Sequence, residues 1–155
     1  MTTNARIGYG TLFEIRDIGQ SPPVWVRVAE VTGITPPNIS RETQDATHTE
    51  SPGGYREFIA GLKDGGEVTT ELNLVPDSAS TALLLGLFDL EGSAALTQCR
   101  IIFPDGDADA SPITASVWAF SAICTGLTPE APLAEKMAAS ATWKISGKPT
   151  LTQAA

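Results

Sequence analysis

The feature that most limits the folds open to this chain is a two-residue rhythm of apolar and polar side chains, cut into short runs by Gly, Pro and Asp. Side chains alternate sides along a β-strand, so such a rhythm gives each run one face for a core and one for water. The clearest run covers residues 66–75. Glu67, Thr69, Glu71 and Asn73 fall on one face, and Val68, Thr70, Leu72 and Leu74 on the other. Residues 136–145 repeat the pattern, with Lys136, Ala138, Ser140, Thr142 and Lys144 set against Met137, Ala139, Ala141, Trp143 and Ile145. Residues 24–34 place Val24, Val26 and Val28 opposite Trp25, Arg27 and Ala29. Further strands are expected over 9–15, 96–103 and 113–127, the last carrying Val117, Trp118, Phe120 and Ile123. Pro22 and Pro23, Pro36 and Pro37, the Pro104, Asp105, Gly106 turn and the 129–132 loop supply the punctuation.

One segment breaks the rhythm. Pro76 stops the preceding strand, Asp77 can cap a helix by accepting a backbone N–H, and a helix is expected over 79–90. Leu84, Leu87 and Phe88 stand at i, i+3, i+4 spacing and are assigned to the core. Ala82, Leu83 and Leu85 widen the apolar surface until little of the helix is left for water. Glu91 and Gly92 end it, with Gly92 suited to a left-handed C-terminal position. About six strands and one helix predict a mainly β (α+β) fold: an antiparallel β-sandwich or partly open barrel with one α-helix packed on its side. A chain of 155 residues fits one domain, taken as 1–155.

Residues 38–65 form a long polar loop in which Ser, Thr, Gln, Asp, Glu and Gly dominate. Only Tyr55, Phe58, Ile59 and Leu62 offer apolar anchors there. The usual connection inside a compact domain is about 4 to 6 residues, and a far longer one is generally functional or ordered by a partner. One reading makes it the recognition loop of a ligand-binding β-sandwich module.

Charge narrows the function classes. The formal net charge is -8, and residues 41–91 hold ten carboxylates against three Lys and Arg. A sequence-reading DNA binder would show a basic face instead. No run approaches the roughly 18 apolar residues of a membrane span, so no membrane insertion is expected. The first residues have no apolar signal core behind them, which argues against secretion. Cys99 and Cys124 each sit in an apolar stretch and read as buried thiols in a reduced cytoplasm, although spacing alone leaves a disulfide open.

Catalytic chemistry finds no foothold. His48 is the only histidine and lies in the polar loop, with nothing adjacent in sequence to frame a triad. Asp105, Asp107 and Asp109 open like a calcium loop, but the sixth position is Ala110 and the twelfth Ser116, where Gly and Glu are required. Glu67 and Glu71 on one strand would stand roughly 13 Å apart, too far for a glycosidase pair. Two cysteines and one remote histidine make no zinc site, and the Gly pairs match no phosphate cradle. No enzyme activity, cofactor or metal is expected.

The order of elements carries a resemblance. A strand, Pro76, a Leu-rich helix with Leu83, Leu84 and Phe88, the Glu91–Gly92 step, a strand and then Phe103, Pro104, Asp105 and Gly106 follow one another. Later come a long strand through Trp118 and Phe120, a strand ending near Trp143, and Gly147, Lys148 and Pro149. This series is similar to the major tail tube proteins of lambda-like long-tailed bacteriophages, over residues 9–150, with the 38–65 loop where family members carry a long loop. Some members add a C-terminal immunoglobulin-like domain, and none is expected here. The resemblance implies the tail tube and type VI secretion tube fold, and a structural subunit that forms hexameric rings stacked into a hollow tube. It implies self-association, a tape-measure protein and tail terminator and tip proteins as partners, and double-stranded DNA passing through the lumen without sequence-specific binding. The implied place is the virion tail, assembled in the host bacterial cytoplasm; a gene transfer agent or tail-like bacteriocin would use the same subunit. In such a tube, Glu67, Thr69, Glu71 and Asn73 are assigned to the lumen, with an outward solvent face as the alternative. Arg41, Glu42, Asp45, His48, Tyr55 and Arg56 are assigned to contacts between subunits or rings.

Overall fold

The computed structural model describes residues 2–155. Nine strands are present among the described residues: β1 Leu12–Asp17, β2 Val24–Arg27, β3 Val31–Thr35, β4 Ser40–Asp45, β5 Phe58–Asp64, β6 Glu67–Asn73, β7 Leu96–Ile102, β8 Val117–Glu130 and β9 Ala138–Thr152. Seven form one antiparallel sheet in the order β2-β1-β7-β8-β9-β6-β3, and β4 and β5 pair separately. β8 and β9 pair along their whole length. The first half of β8 also pairs with β7, and the first half of β9 also pairs with β6. The sheet therefore divides into two layers joined through one long hairpin. Register shifts between Ala119 and Ser121 and between Cys124 and Gly126 mark the turn from one layer to the other, as bulges do where strands change sheets.

The layers meet through large rings. Phe13 of β1 stands 5.4 Å from Trp143 of β9, and 6.4 Å from Phe120 of β8. Trp143 is fully buried, and its indole N–H donates to the Thr70 hydroxyl at 3.3 Å. Ile15, Val68, Leu72, Ala122, Ala139, Ala141 and Ile145 fill the space between the layers. Residues 28–30 cross the gap between the sheet's two ends: the Val28 N–H donates to the Phe13 carbonyl, and the Asn73 N–H donates to the Glu30 carbonyl, both at 2.9 Å. The result is a partly open barrel, curled but not closed.

Both free thiols lie inside. Burial pushes Cys99 far up and Cys124 up to about 11, so neither is a thiolate near neutral pH.

Several boundaries differ from the sequence expectation. The 24–34 run is two strands, because Glu30 turns the chain with φ of 55° between β2 and β3. β9 runs through Pro149, which sits in a bulge where Gly147, Lys148 and Pro149 oppose the single residue Phe120. A proline costs nothing where no ladder N–H is needed.

The helix α1 is Ala79–Gly86, capped by the Ser78 hydroxyl accepting from the Thr81 N–H rather than by Asp77. Beyond it the chain tightens into a 3₁₀ turn over Leu87–Asp89. Leu84 is buried at 2% exposure and Leu87 is half-buried against the core, but Phe88 is 45% exposed. The assignment of Phe88 to the core is thus corrected. With three residues per turn instead of 3.6, Phe88 swings away from the stripe that Leu84 begins. Ala82, Leu85 and Gly86 are exposed as well, so α1 is a half-covered lid rather than a buried helix.

Candidate assembly surfaces

The largest correction concerns residues 38–65. Most of this segment is a hairpin, with Ser40 paired to Asp64, Arg41 to Lys63 and Asp45 to Phe58. It projects from the body: every residue of β4 is exposed, and β5 has only Gly61 half-buried. The four apolar residues read as anchors anchor nothing within the chain. Tyr55 is 79% exposed, Phe58 57%, Ile59 59% and Leu62 82%. An isolated two-stranded hairpin is marginal in water, and three devices hold this one.

At its root, Gly66 has φ of +78°, and a Cβ there would lie 2.1 Å from the Asn38 carbonyl oxygen. The two chain ends therefore cross at a point no side chain could enter. Beside it, Asp64 accepts from the Gly66 N–H at 2.8 Å and pairs with Lys144 at 3.0 Å, and both hold its carboxyl below the ordinary range. Along the stem, Arg56 approaches Asp45 at 3.7 Å.

At the tip, the Ala46 N–H donates to the Glu57 carbonyl, and the Glu57 N–H donates to the Thr47 hydroxyl. His48 Nδ1 stands 3.2 Å from both Ser51 Oγ and Glu57 Oε2, while Ser51 Oγ donates to Glu57 Oε2 at 2.7 Å. His48 is exposed, and sequence reasoning did not single out Ser51 and Glu57 beside it. The spacing of a Ser three residues after a His was the available signal, but a turn was needed to use it. This trio is not a catalytic triad. Serine and carboxylate share one ring nitrogen instead of flanking the imidazole, so no carboxylate on the far side of the ring orients it toward the hydroxyl. Arg41 and Glu42 lie on the stem, and Tyr55 and Arg56 just before β5.

The two layers present different outer faces. On the β6–β9 layer, Glu67 and Glu71 are exposed while Thr69 and Asn73 are half-buried. Lys144 lies directly across from Glu67, and Ser140 across from Glu71. The face is therefore polar with acidic excess rather than an unbroken acidic wall, and the period-two reading of β6 gave no access to its cross-strand partners.

The β1–β7 layer carries Arg16, Arg27 and Arg100 around a buried glutamate. Glu14, 6% exposed, accepts from Arg100 Nε at 2.6 Å and from Arg27 Nη2 at 3.2 Å. These residues are cross-strand neighbours in register. Arg27 also reaches Asp109 at 3.0 Å, tying the 104–116 segment to the sheet, and the Arg100 guanidinium lies 4.1 Å from the Trp25 ring centre. Asp105 accepts from the Ser116 N–H and hydroxyl, which hold its carboxyl below the ordinary range. The aspartates thus close a loop, and no group of three metal-ligating side chains occurs among the described residues.

An apolar cleft of about 440 Å³ opens between α1 and β1, lined by Ile18, Leu83, Leu87 and Leu96. It takes no residue from the hairpin. No helix among the described residues is long and apolar enough to cross a membrane.

Comparison with known proteins agrees with this geometry. The family model described as lambda phage tail tube protein, TTP, matches residues 14–152. No curated protein matches the chain in sequence. In fold, the chain is similar to one in the tail of an empty gene transfer agent particle refined with C6 symmetry, with TM-score 0.72 and 18% identity over 96% of this chain and 99% of that one. A chain in the virion of the native gene transfer agent particle gives TM-score 0.70 and 17% identity, over 96% and 99%. A chain in the sheath/tube terminator of an extracellular contractile injection system gives 0.71 and 12%, over 98% and 99%.

Proposed function

The chain belongs to the lambda phage tail tube protein family, and on that premise we propose that it is the ring-forming structural subunit of a hollow tail tube, joined to its neighbours through the β4–β5 hairpin. Six copies close a ring, in keeping with the C6 symmetry of the gene transfer agent tail that shares its fold. Rings stack, and the tube ends against terminator and tip proteins, as the terminator and cap assemblies among its structural neighbours suggest. The tube belongs to a virion tail and is assembled around a tape-measure protein in the host bacterial cytoplasm. Its work is mechanical and requires no catalysis.

The hairpin carries this reading. A monomer exposing Tyr55, Phe58, Ile59 and Leu62 on one projecting strand pair leaves apolar surface in water at roughly 25 cal/mol per Å². Burial against another copy recovers it. The free edges of β2 and β3 are likewise protected once copies close into a ring. The polar face of Glu67, Thr69, Glu71 and Asn73 lines the lumen, where double-stranded DNA passes without being held.

The test is a chain in which residues 41–60 are replaced by a short Gly-Ser bridge. Loop closure depends weakly on length, so the body should fold. Concentrated wild-type protein is expected to give rings or tubes in negative-stain micrographs, and the shortened chain a folded monomer. Normal tubes from the shortened chain would remove the hairpin from the assembly. The ligand-binding alternative would show itself as a wild-type monomer that never assembles.

A further inference from the structure

The apolar surface of the hairpin has a counterpart elsewhere on the same chain. The cleft of about 440 Å³ between α1 and β1 is walled by Ile18, Leu83, Leu87 and Leu96, and Ala82 and Gly86 also line it. Those two small residues stand at i, i+4, one above the other on a helix face. Ile18 in the cleft wall is exposed, and so are Leu85 and Phe88 on the adjoining turns.

Gly86 is the informative position. Its φ of -62° and ψ of -24° are ordinary right-handed helical values that any residue adopts. Glycine weakens a helix relative to alanine, and a Cβ at 86 would meet nothing within 4 Å. Neither the backbone nor packing inside the subunit therefore calls for glycine. The close approach of another chain would.

The hairpin does not enter the cleft of its own chain. None of its residues lines the cleft, and the crossing of Gly66 past Asn38 fixes its root elsewhere. It presents Phe58 and Leu62 on one face of β5, about 13 Å apart along the strand. Charge fits as well. Residues 40–64 hold five carboxylates against three Lys and Arg. The cleft rim offers Arg16, whose one side-chain hydrogen bond among the described residues goes to the neutral Gln98 at 2.8 Å. Asp17, the acid beside it, is turned to its own loop, where it accepts from the Gly19 N–H and from Gln20.

We infer that this cleft is the seat for the β4–β5 hairpin of a second copy. A knob and a cleft at different places on one chain make a head-to-tail contact, which passes from copy to copy instead of ending in a dimer. The inference rests on the proposed role of the hairpin and adds the surface that receives it.

Two experiments on the full chain test the pairing. Gly86→Gln puts a bulky, good helix former into the cleft without adding apolar surface, so the monomer should melt no lower than the wild type. Tube growth, followed by light scattering, should then need about tenfold more protein, the loss of one well-buried side-chain contact. Cysteine pairing identifies the occupant. Cys99 and Cys124 are buried, so a chain with Leu62→Cys and a chain with Gly86→Cys each contribute one accessible thiol. Mixed under a mild oxidant, the two should give a cross-linked dimer in yield well above either chain alone; Phe58→Cys serves as a second hairpin position. Unchanged growth of Gly86→Gln overturns the seat, even where the hairpin-shortened chain fails to assemble and the role of the hairpin stands. Blocked growth with no cross-link from either hairpin position gives the cleft another occupant and overturns the pairing. Should Gly86→Gln melt lower, the cross-link alone decides, and its absence overturns the pairing. Normal tubes from the hairpin-shortened chain would instead remove the assembly role itself.

Discussion

Glu14 is the residue whose loss should tell most about how the β1–β7 layer is held. Its carboxylate is nearly buried and serves two guanidiniums, with Arg100 at 2.6 Å through Nε and Arg27 at 3.2 Å through Nη2. Removing one partner from a fully buried ion pair costs about 3 to 5 kcal/mol, because the remaining charge is stranded. The stranded groups here are less enclosed: the side chains of Arg100 and Arg27 are 20% and 39% exposed. Water reaching both cuts the penalty by roughly half, so Glu14→Gln should cost about 2 kcal/mol. At this chain length that lowers the melting temperature by about 4 to 8 °C. Arg100→Ala alone mixes the ion pair with its contact to Trp25, itself about 0.5 to 1 kcal/mol. A double-mutant cycle of Glu14→Gln and Arg100→Ala in urea removes that mixture and should return a coupling of about 1 to 1.5 kcal/mol. A Glu14→Gln loss below about 0.5 kcal/mol, or a coupling indistinguishable from zero, would refute the argument that the buried carboxylate organises this layer.

Other outcomes follow from the same geometry. Leu84→Ala should cost about 2 to 5 kcal/mol, whereas Phe88→Ala should cost under about 1 kcal/mol in the monomer; chemical melts showing equal losses would mean that the 3₁₀ turn does not hold Phe88 outward. With Glu67 and Glu71 both changed to Lys, tubes should still form, but a basic lumen would hold DNA by counterion release. DNA ejection from complete particles should then slow, most at low salt, and unchanged ejection kinetics would move this face to the outside.

Legibility in the sequence followed wetness. Where one face of a strand is dry and the other wet, alternation survives in the residue order, and the inward sets Val68, Thr70 and Leu72 and Ala139, Ala141 and Trp143 could be written down directly. The hairpin was illegible for the opposite reason. Both of its faces are wet, so β4 reads Ser, Arg, Glu, Thr, Gln, Asp with no rhythm at all, and only Phe58 and Ile59 hint at β5. The break at Glu30 was hidden because its left-handed turn uses no glycine. Phe88 was misplaced by extending one helical period across a change of helix type. The His48 cluster needed a folded tip before three scattered polar residues could meet. The family resemblance was readable because it rests on the order of punctuation, which survives such local errors.

The long β8–β9 hairpin has a mechanical consequence. In a sandwich of two separate sheets, shear between the layers is resisted by interlocking side chains, which can slip and repack. Here both layers hang from the same pair of strands, 14 and 15 residues long, or roughly 45 to 50 Å of continuous backbone. Displacing one layer along the other must deform the bulges at Thr125 and at residues 147–149 or unzip a hydrogen-bonded ladder. A load that pulls the two layers past one another is then borne by main chain inside the subunit, and the side chains of the core are left to exclude water.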